Sequence, residues 1–112
     1  MENPKFKVTK DAKGGFRFVL QAKNGATILR SSEGYKAKQG CLSGIASVKT
    51  NAPLDNRYER STAKSGQLFF TLKAANGEHL GISEMYAGAS GRDNGIESVK
   101  SNAPGAPIED LV

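Results

Sequence analysis

The chain has 112 residues, 16 Lys/Arg against 11 Asp/Glu, 13 glycines, one histidine and one cysteine. That length suffices for one packed domain or two small units sharing a core, and a lone Cys41 excludes an intramolecular disulfide. No apolar run approaches the ~18 residues of a membrane span, and the opening MENPKFK lacks the apolar stretch of a signal peptide, so the expectation is a soluble cytoplasmic protein with no membrane partner.

A first strand is predicted over Lys5–Lys10, with Phe6 and Val8 inward. Lys5, Lys7, Lys10 and Lys13 are expected to form a solvated edge that keeps this strand from pairing with neighbours. Phe16, Phe18, Leu20 and Ala22 then alternate with Arg17, Val19, Gln21 and Lys23, the pattern of a half-buried strand. Asn24-Gly25 signals a hairpin. A two-residue loop would turn Ile28 to solvent. A three-residue loop, Lys23-Asn24-Gly25 with Gly25 left-handed, instead pairs Leu20 with Ile28, and this register is preferred because a one-residue slip reverses every side chain.

A helix follows, since Cys41, Ile45, Val48 and Ala52 are spaced 4, 3 and 4. Gly40 and Gly44 each cost this helix about 1 kcal/mol against alanine, which calls for a reason, and close approach of helix to sheet is the simplest. Asn51-Ala52-Pro53 ends it, because proline disfavours helical geometry in the residue before it.

The same unit then returns. Ile45-Ala-Ser-Val-Lys-Thr-Asn-Ala-Pro53 recurs as Ile96-Glu-Ser-Val-Lys-Ser-Asn-Ala-Pro104, identical at seven of nine positions and offset by 51. Phe18–Gly25 matches Phe70–Gly77 at an offset of 52, so Asn76-Gly77 marks a second hairpin pairing Leu72 with Leu80. The odd residue falls in the connection between Ile28 and Tyr35, which reads as surface. Arg57–Thr62 aligns with the first strand, though Val8 becomes Arg60. Arg92, Ile96, Val99 and Ala103 repeat the helical stripe with Gly91 and Gly95 beside it, and a short strand is expected around Ile108–Leu111.

These motifs resemble the YegP-like family of small bacterial proteins of unknown function. The resemblance rests on Asn24-Gly25 and Asn76-Gly77, on Ser32-Glu33-Gly34-Tyr35 and Ser83-Glu84-Met85-Tyr86, and on Gly44-Ile45 to Asn51-Ala52 with Gly95-Ile96 to Asn102-Ala103. It implies an α+β fold in which two β-β-β-α units share one antiparallel sheet, carry both helices on one face and exchange their final strands. It supplies no catalytic residues. The expected organisation is a single pseudo-symmetric domain of repeat 1, about 4–55, and repeat 2, about 56–112. Such a chain holds both halves of its pseudo-dimer and is expected to be a monomer.

Little chemistry is on offer. His79 follows Glu78 just after a turn, without the partners an acid–base site requires. Cys41 lies on an apolar stripe, where a free cysteine behaves as a small buried hydrophobe. One His and one Cys leave no zinc quartet, no phosphate loop is present, and no cofactor is expected. Tyr35 and Tyr86 are read as plugs of the helix–sheet junction, with the adjoining Ser or Glu ordering the turn into each helix, in preference to a twice-repeated ligand site.

The charge is uneven: residues 1–56 hold ten Lys/Arg against four Asp/Glu, and residues 57–112 hold six against seven. The candidate binding face is therefore the helix-free side of the sheet, with Lys5, Lys7, Arg17, Gln21 and Lys73, and with Phe69 as its aromatic. The expected function is a non-enzymatic protein-interaction or structural module. The alternative is weak binding of single-stranded nucleic acid through the basic first repeat, which one aromatic platform supports thinly.

Overall fold

A computed structural model describes residues 2–112. The elements run β1 (Lys5–Lys10), β2 (Phe16–Gln21), β3 (Thr27–Ser31), α1 (Lys38–Asn51), a 3-10 turn (Asp55–Arg57), β4 (Tyr58–Thr62), β5 (Leu68–Lys73), β6 (His79–Ile82), α2 (Ala89–Asn102) and β7 (Ile108–Asp110). All seven strands form one sheet in the order β4-β5-β6-β3-β2-β1-β7. The units meet at its centre, where β3 pairs antiparallel with β6 through Arg30↔Ile82 and Ser31↔Gly81. α1 packs over β2, β5 and β6, and α2 over β5 and β3, so each helix reaches across the junction.

The expected antiparallel sheet holds for every pair but one. β7 lies parallel to β1, with Phe6 opposite Ile108, the Phe6 N–H donating to the Pro107 carbonyl and the Leu111 N–H to the Val8 carbonyl. The strand after α2 thus crosses to the other unit. After α1 the chain instead turns through Asp55–Arg57 directly into β4, which is already the first strand of the second unit. β1 is consequently no edge, and its lysines do not guard one. The edge is β7, whose Glu109 pairs with Lys5 at 3.1 Å.

The hairpin loops have the expected length. Gly25 and Gly77 take φ of +85° and +87°, and the Ala22 and Ala74 N–H groups bond the carbonyls of Ala26 and Glu78. The register beyond them differs from expectation. Leu20 stands opposite Leu29 and Leu72 opposite Gly81, because Ile28 and Leu80 are each inserted as a bulge. Strict alternation would have sent Leu29 to solvent; the bulge buries Ile28 and Leu29 together.

The core lies between helices and sheet. Cys41, Ile45, Val48 and Ala52 are fully buried, as are Ile96, Val99 and Ala103, against Phe6, Val8, Phe18, Leu20, Phe70 and Leu72. Each unit carries three successive rings: Phe6 sits edge-on to Phe18 and Tyr35 stacks on Phe18, while Tyr58, Phe70 and Tyr86 repeat the pattern. The helical glycines Gly44 and Gly95 answer first to the tyrosines and then to the sheet, where Phe18 and Phe70 would lie 3.5 and 3.2 Å from an added Cβ. A Cβ on Gly44 would collide with the Tyr35 hydroxyl and lie 2.9 Å from its Cζ, and on Gly95 it would meet Tyr86 in the same way. At Gly40 the nearest Tyr35 atom is an ordinary 3.5 Å away.

Neither helix start is capped by a side chain, contrary to the role expected for the nearby Ser and Glu. Ser31 and Ser83 accept the N–H groups of Phe18 and Phe70 through Oγ, and the Ser83 hydroxyl also donates to the Glu84 carbonyl in the connection to α2. Glu84 reaches across the unit junction to Arg30.

Candidate functional site

Strand alternation sends Phe6, Val8, Phe18, Leu20, Phe70 and Leu72 toward the helices, and their neighbours to the opposite face. Register then draws one row across the helix-free side. Glu59, Thr71, Ile82, Arg30, Val19, Lys7 and Glu109 stand directly opposite one another, strand by strand, over the full width of the sheet. Its ends are acidic, its centre holds Val19, Arg30 and Ile82, and no helix covers it.

The candidate residues all belong to this face but form two groups. Lys5 pairs with Gln21, Lys7 flanks them, and Arg17 lies farther along β2. Phe69 and Lys73 are on β5, three strands away from β2, or about 14 Å at the usual strand spacing. Phe69 faces Ser61 on β4 and is half-buried; the aromatic of that strand, Tyr58, is turned to the core against Phe70.

The cations of this face meet carboxylates. Lys5 pairs with Glu109, Arg17 with Asp11 at 3.2 Å, Arg30 with Glu84 and Lys73 with Glu59 at 3.3 Å. Lys7 stands opposite Glu109. Hydrogen bonding from Lys5, with the field of Lys5 and Lys7, holds the Glu109 carboxyl below the usual carboxylate range. The result is a face of alternating sign rather than a positive one.

Val19, Thr71, Arg30 and Ile82 were not among the sequence candidates. Alternation along β2 and β5 places Val19 and Thr71 on the face, but Arg30 and Ile82 join it only through the β3–β6 pairing, which no local pattern encodes.

Two concave regions adjoin the sheet. One, of about 380 Å³, is lined by Asp11, Lys13, Gly15, Arg17, Gly34 and Lys36 at the β1–β2 turn. The other, about 190 Å³, lies between α1 and the second hairpin, where Glu33, Tyr35, Ser43, Glu78 and His79 come together. His79 is exposed there. Cys41 is fully buried, and burial pushes its thiol up, away from the thiolate that nucleophilic chemistry uses. Burial likewise raises Tyr35 and Tyr86. Among the described residues no three His, Cys, Asp or Glu side chains gather where they could hold a metal ion, and no helix is long and apolar enough to cross a membrane.

Residues 11–59 and 63–110 each match the domain of unknown function DUF1508. The chain belongs to the DUF1508 family. Its two copies stand in tandem, as the internal repeat requires. Among DUF1508 relatives, the UPF0339 protein YegP of Escherichia coli K12 is 48% identical over 105 residues, covering 94% of each chain. A UPF0339 protein from the ptx operon 5′ region of Stutzerimonas stutzeri is 50% identical over 106 residues, covering 95% of each. The solution NMR structure of E. coli YegP, described as a protein of unknown function, superposes with a TM-score of 0.91 at 45% identity. It spans 99% of this chain and 95% of that one. These DUF1508 proteins are uncharacterised, and none of their names carries an activity.

Proposed function

We propose that this chain is a non-enzymatic binding module, working in the cytoplasm as a monomer, that offers the helix-free face of its sheet to a protein partner. Its two units, residues 4–55 and 56–112, act as one body in this reading. The observation that carries it is the row from Glu59 to Glu109, uncovered by either helix, with charge of both signs around Val19 and Ile82. An apolar centre with a polar, ionic rim is the anatomy of a protein interface. Single-stranded nucleic acid is favoured by unopposed cations and several stacking aromatics, whereas here Lys5, Arg17, Arg30 and Lys73 face carboxylates and Phe69 lies at least three strands from Lys5 and Arg17.

The test is affinity capture from lysate under nuclease, run in parallel with the native chain and a Val19→Asp/Ile82→Asp variant whose circular dichroism is unchanged. A protein held by the native chain and lost by the variant supports the assignment. Equal retention by both, or recovery of nucleic acid alone when nuclease is omitted, refutes it.

A further inference from the structure

The pocket at the β1–β2 turn is lined by residues of the first unit, and its chemistry is that of an anion site. Its volume of about 380 Å³ falls at the lower end of the range for small-molecule sites. Lys13, Arg17 and Lys36 line it, from the turn, the strand and the loop ahead of α1, with Asp11 as the carboxylate among them.

Asp11 is already engaged. Its Oδ1 accepts the N–H groups of Lys13 and Gly15 at 2.9 and 2.8 Å, and its Oδ2 accepts Nε–H of Arg17 at 3.2 Å. Those bonds, that of Gly15 foremost, hold the carboxyl below its ordinary range, so it is a fixed acceptor. Held by Nε, the guanidinium has its plane set and its terminal amino groups left to fork onto two oxygens of one oxyanion. A Cβ on Gly34 would lie 2.8 Å from Asp11 Oδ2 and 3.7 Å from Nη2 of Arg17, so the missing side chain makes room for this ion pair at the pocket wall.

The second unit serves as an internal control. At the matching positions Lys13, Arg17 and Lys36 give way to Ser65, Phe69 and Ala87, while Gly15 and Gly34 give way to Gln67 and Met85. The turn itself is unchanged, with Gly14 and Gly66 at φ of +82° and +88°. Asp11, for whose carboxylate Gly15 and Gly34 leave room, is Ala63 there, so the scaffold requires neither the cations nor their carboxylate partner.

We propose that this pocket binds a small molecule carrying a phosphate monoester. Three cationic side chains lining one pocket from three segments equal in number the three terminal oxygens of a phosphate, and three cations against one carboxylate match a dianion. A single carboxylate group would leave one donor unmatched.

Amide chemical-shift titrations of the full chain test this with a sugar monophosphate, inorganic phosphate, the neutral sugar and a short single-stranded oligonucleotide. The expected result is saturable shifts from the monophosphate confined to residues 11–17 and 34–36, and none from the neutral sugar. Arg17→Gln and Lys36→Gln should each weaken binding about tenfold, equivalent to ~1.4 kcal/mol, while Lys10→Gln, the same loss of charge outside the pocket, leaves it unchanged. The proposal is overturned by no saturation with the monophosphate, by binding of inorganic phosphate or the oligonucleotide alone, or by an equal effect of Lys10→Gln.

Discussion

The side chain of Leu29 occupies the space that a side chain on Gly81 would need. A Cβ on Gly81 would lie 2.7 Å from the Leu29 Cγ and 3.1 Å from the Arg30 carbonyl oxygen. The two positions are one repeat apart in sequence and adjoin where β3 pairs with β6. Two leucines would collide there, and two glycines would leave a hole. The units differ in a complementary sense where β3 of one meets β6 of the other. Leu29→Ala should cost ~2–5 kcal/mol as a core truncation, and Gly81→Ala ~1–3 kcal/mol as overpacking. Combined, they should cost clearly less than their sum, because the shortened side chain makes room for the new methyl. Denaturant midpoints of the four proteins measure the coupling; strict additivity would show that the two sites do not share space.

The helical glycines, one turn apart, are expected to respond oppositely. Gly44→Ala drives a methyl into the Tyr35 ring and should destabilise by ~1–3 kcal/mol despite the better helix former. Gly40→Ala meets Tyr35 only at 3.5 Å and should be neutral or stabilise by up to ~1 kcal/mol. Thermal melts separate the two, and a loss at both positions would refute the assignment of contacts.

Asp11→Ala should destabilise most at neutral pH. Its folded pKa is lowered, first by the Gly15 N–H bond, so its contribution is fully present above the ordinary carboxylate pKa and is lost as pH falls through the lower folded value. The stability gap between native and variant chains should therefore close on acidification. A gap that stays constant across that window would mean that the carboxylate charge plays no part in the turn.

Tyr58 gives the opposite sign. Its hydroxyl donates to the Ala52 carbonyl at 2.7 Å, and burial raises its pKa well above that of a free phenol. Its contribution is complete below the unfolded pKa of about 10 and is lost as pH rises toward the folded value. Tyr58→Phe, which copies Phe6 of the first unit, should lose about 1 kcal/mol at neutral pH. It should also show a shallower fall in stability above pH ~10, read by alkaline denaturation.

Much of this fold was legible because the chain states it twice. The strand faces, the left-handed hairpin glycines and both helical stripes follow from periodicity. The bulges at Ile28 and Leu80 were not legible, since adjacent apolar residues do not say which one the ladder skips. Aligning Ile28 with Leu80 also drew attention away from Leu29 and Gly81, where the repeat breaks for a tertiary reason. The lysines of the first strand looked like edge protection because nothing local announces that Ile108–Asp110 will lie beside them. As for function, the sequence showed which cations share a face, but not that Asp11, Glu59, Glu84 and Glu109 would answer them. Nothing in the sequence marks Gly15 and Gly34 as residues that make room for the Asp11 carboxylate.

The parallel pairing of β1 with β7 also bears on how the molecule carries load. Chain direction enters β1 at one end of the pair and leaves β7 at the other, so tension applied beyond the two strands pulls them past each other along their length. The backbone bonds at Phe6 and Leu111, with the Lys5–Glu109 and Lys38–Asp110 ion pairs, would then be strained together instead of parting one after another as in an unzipping hairpin. β1 and β7 together form a shear clamp at the edge of the sheet.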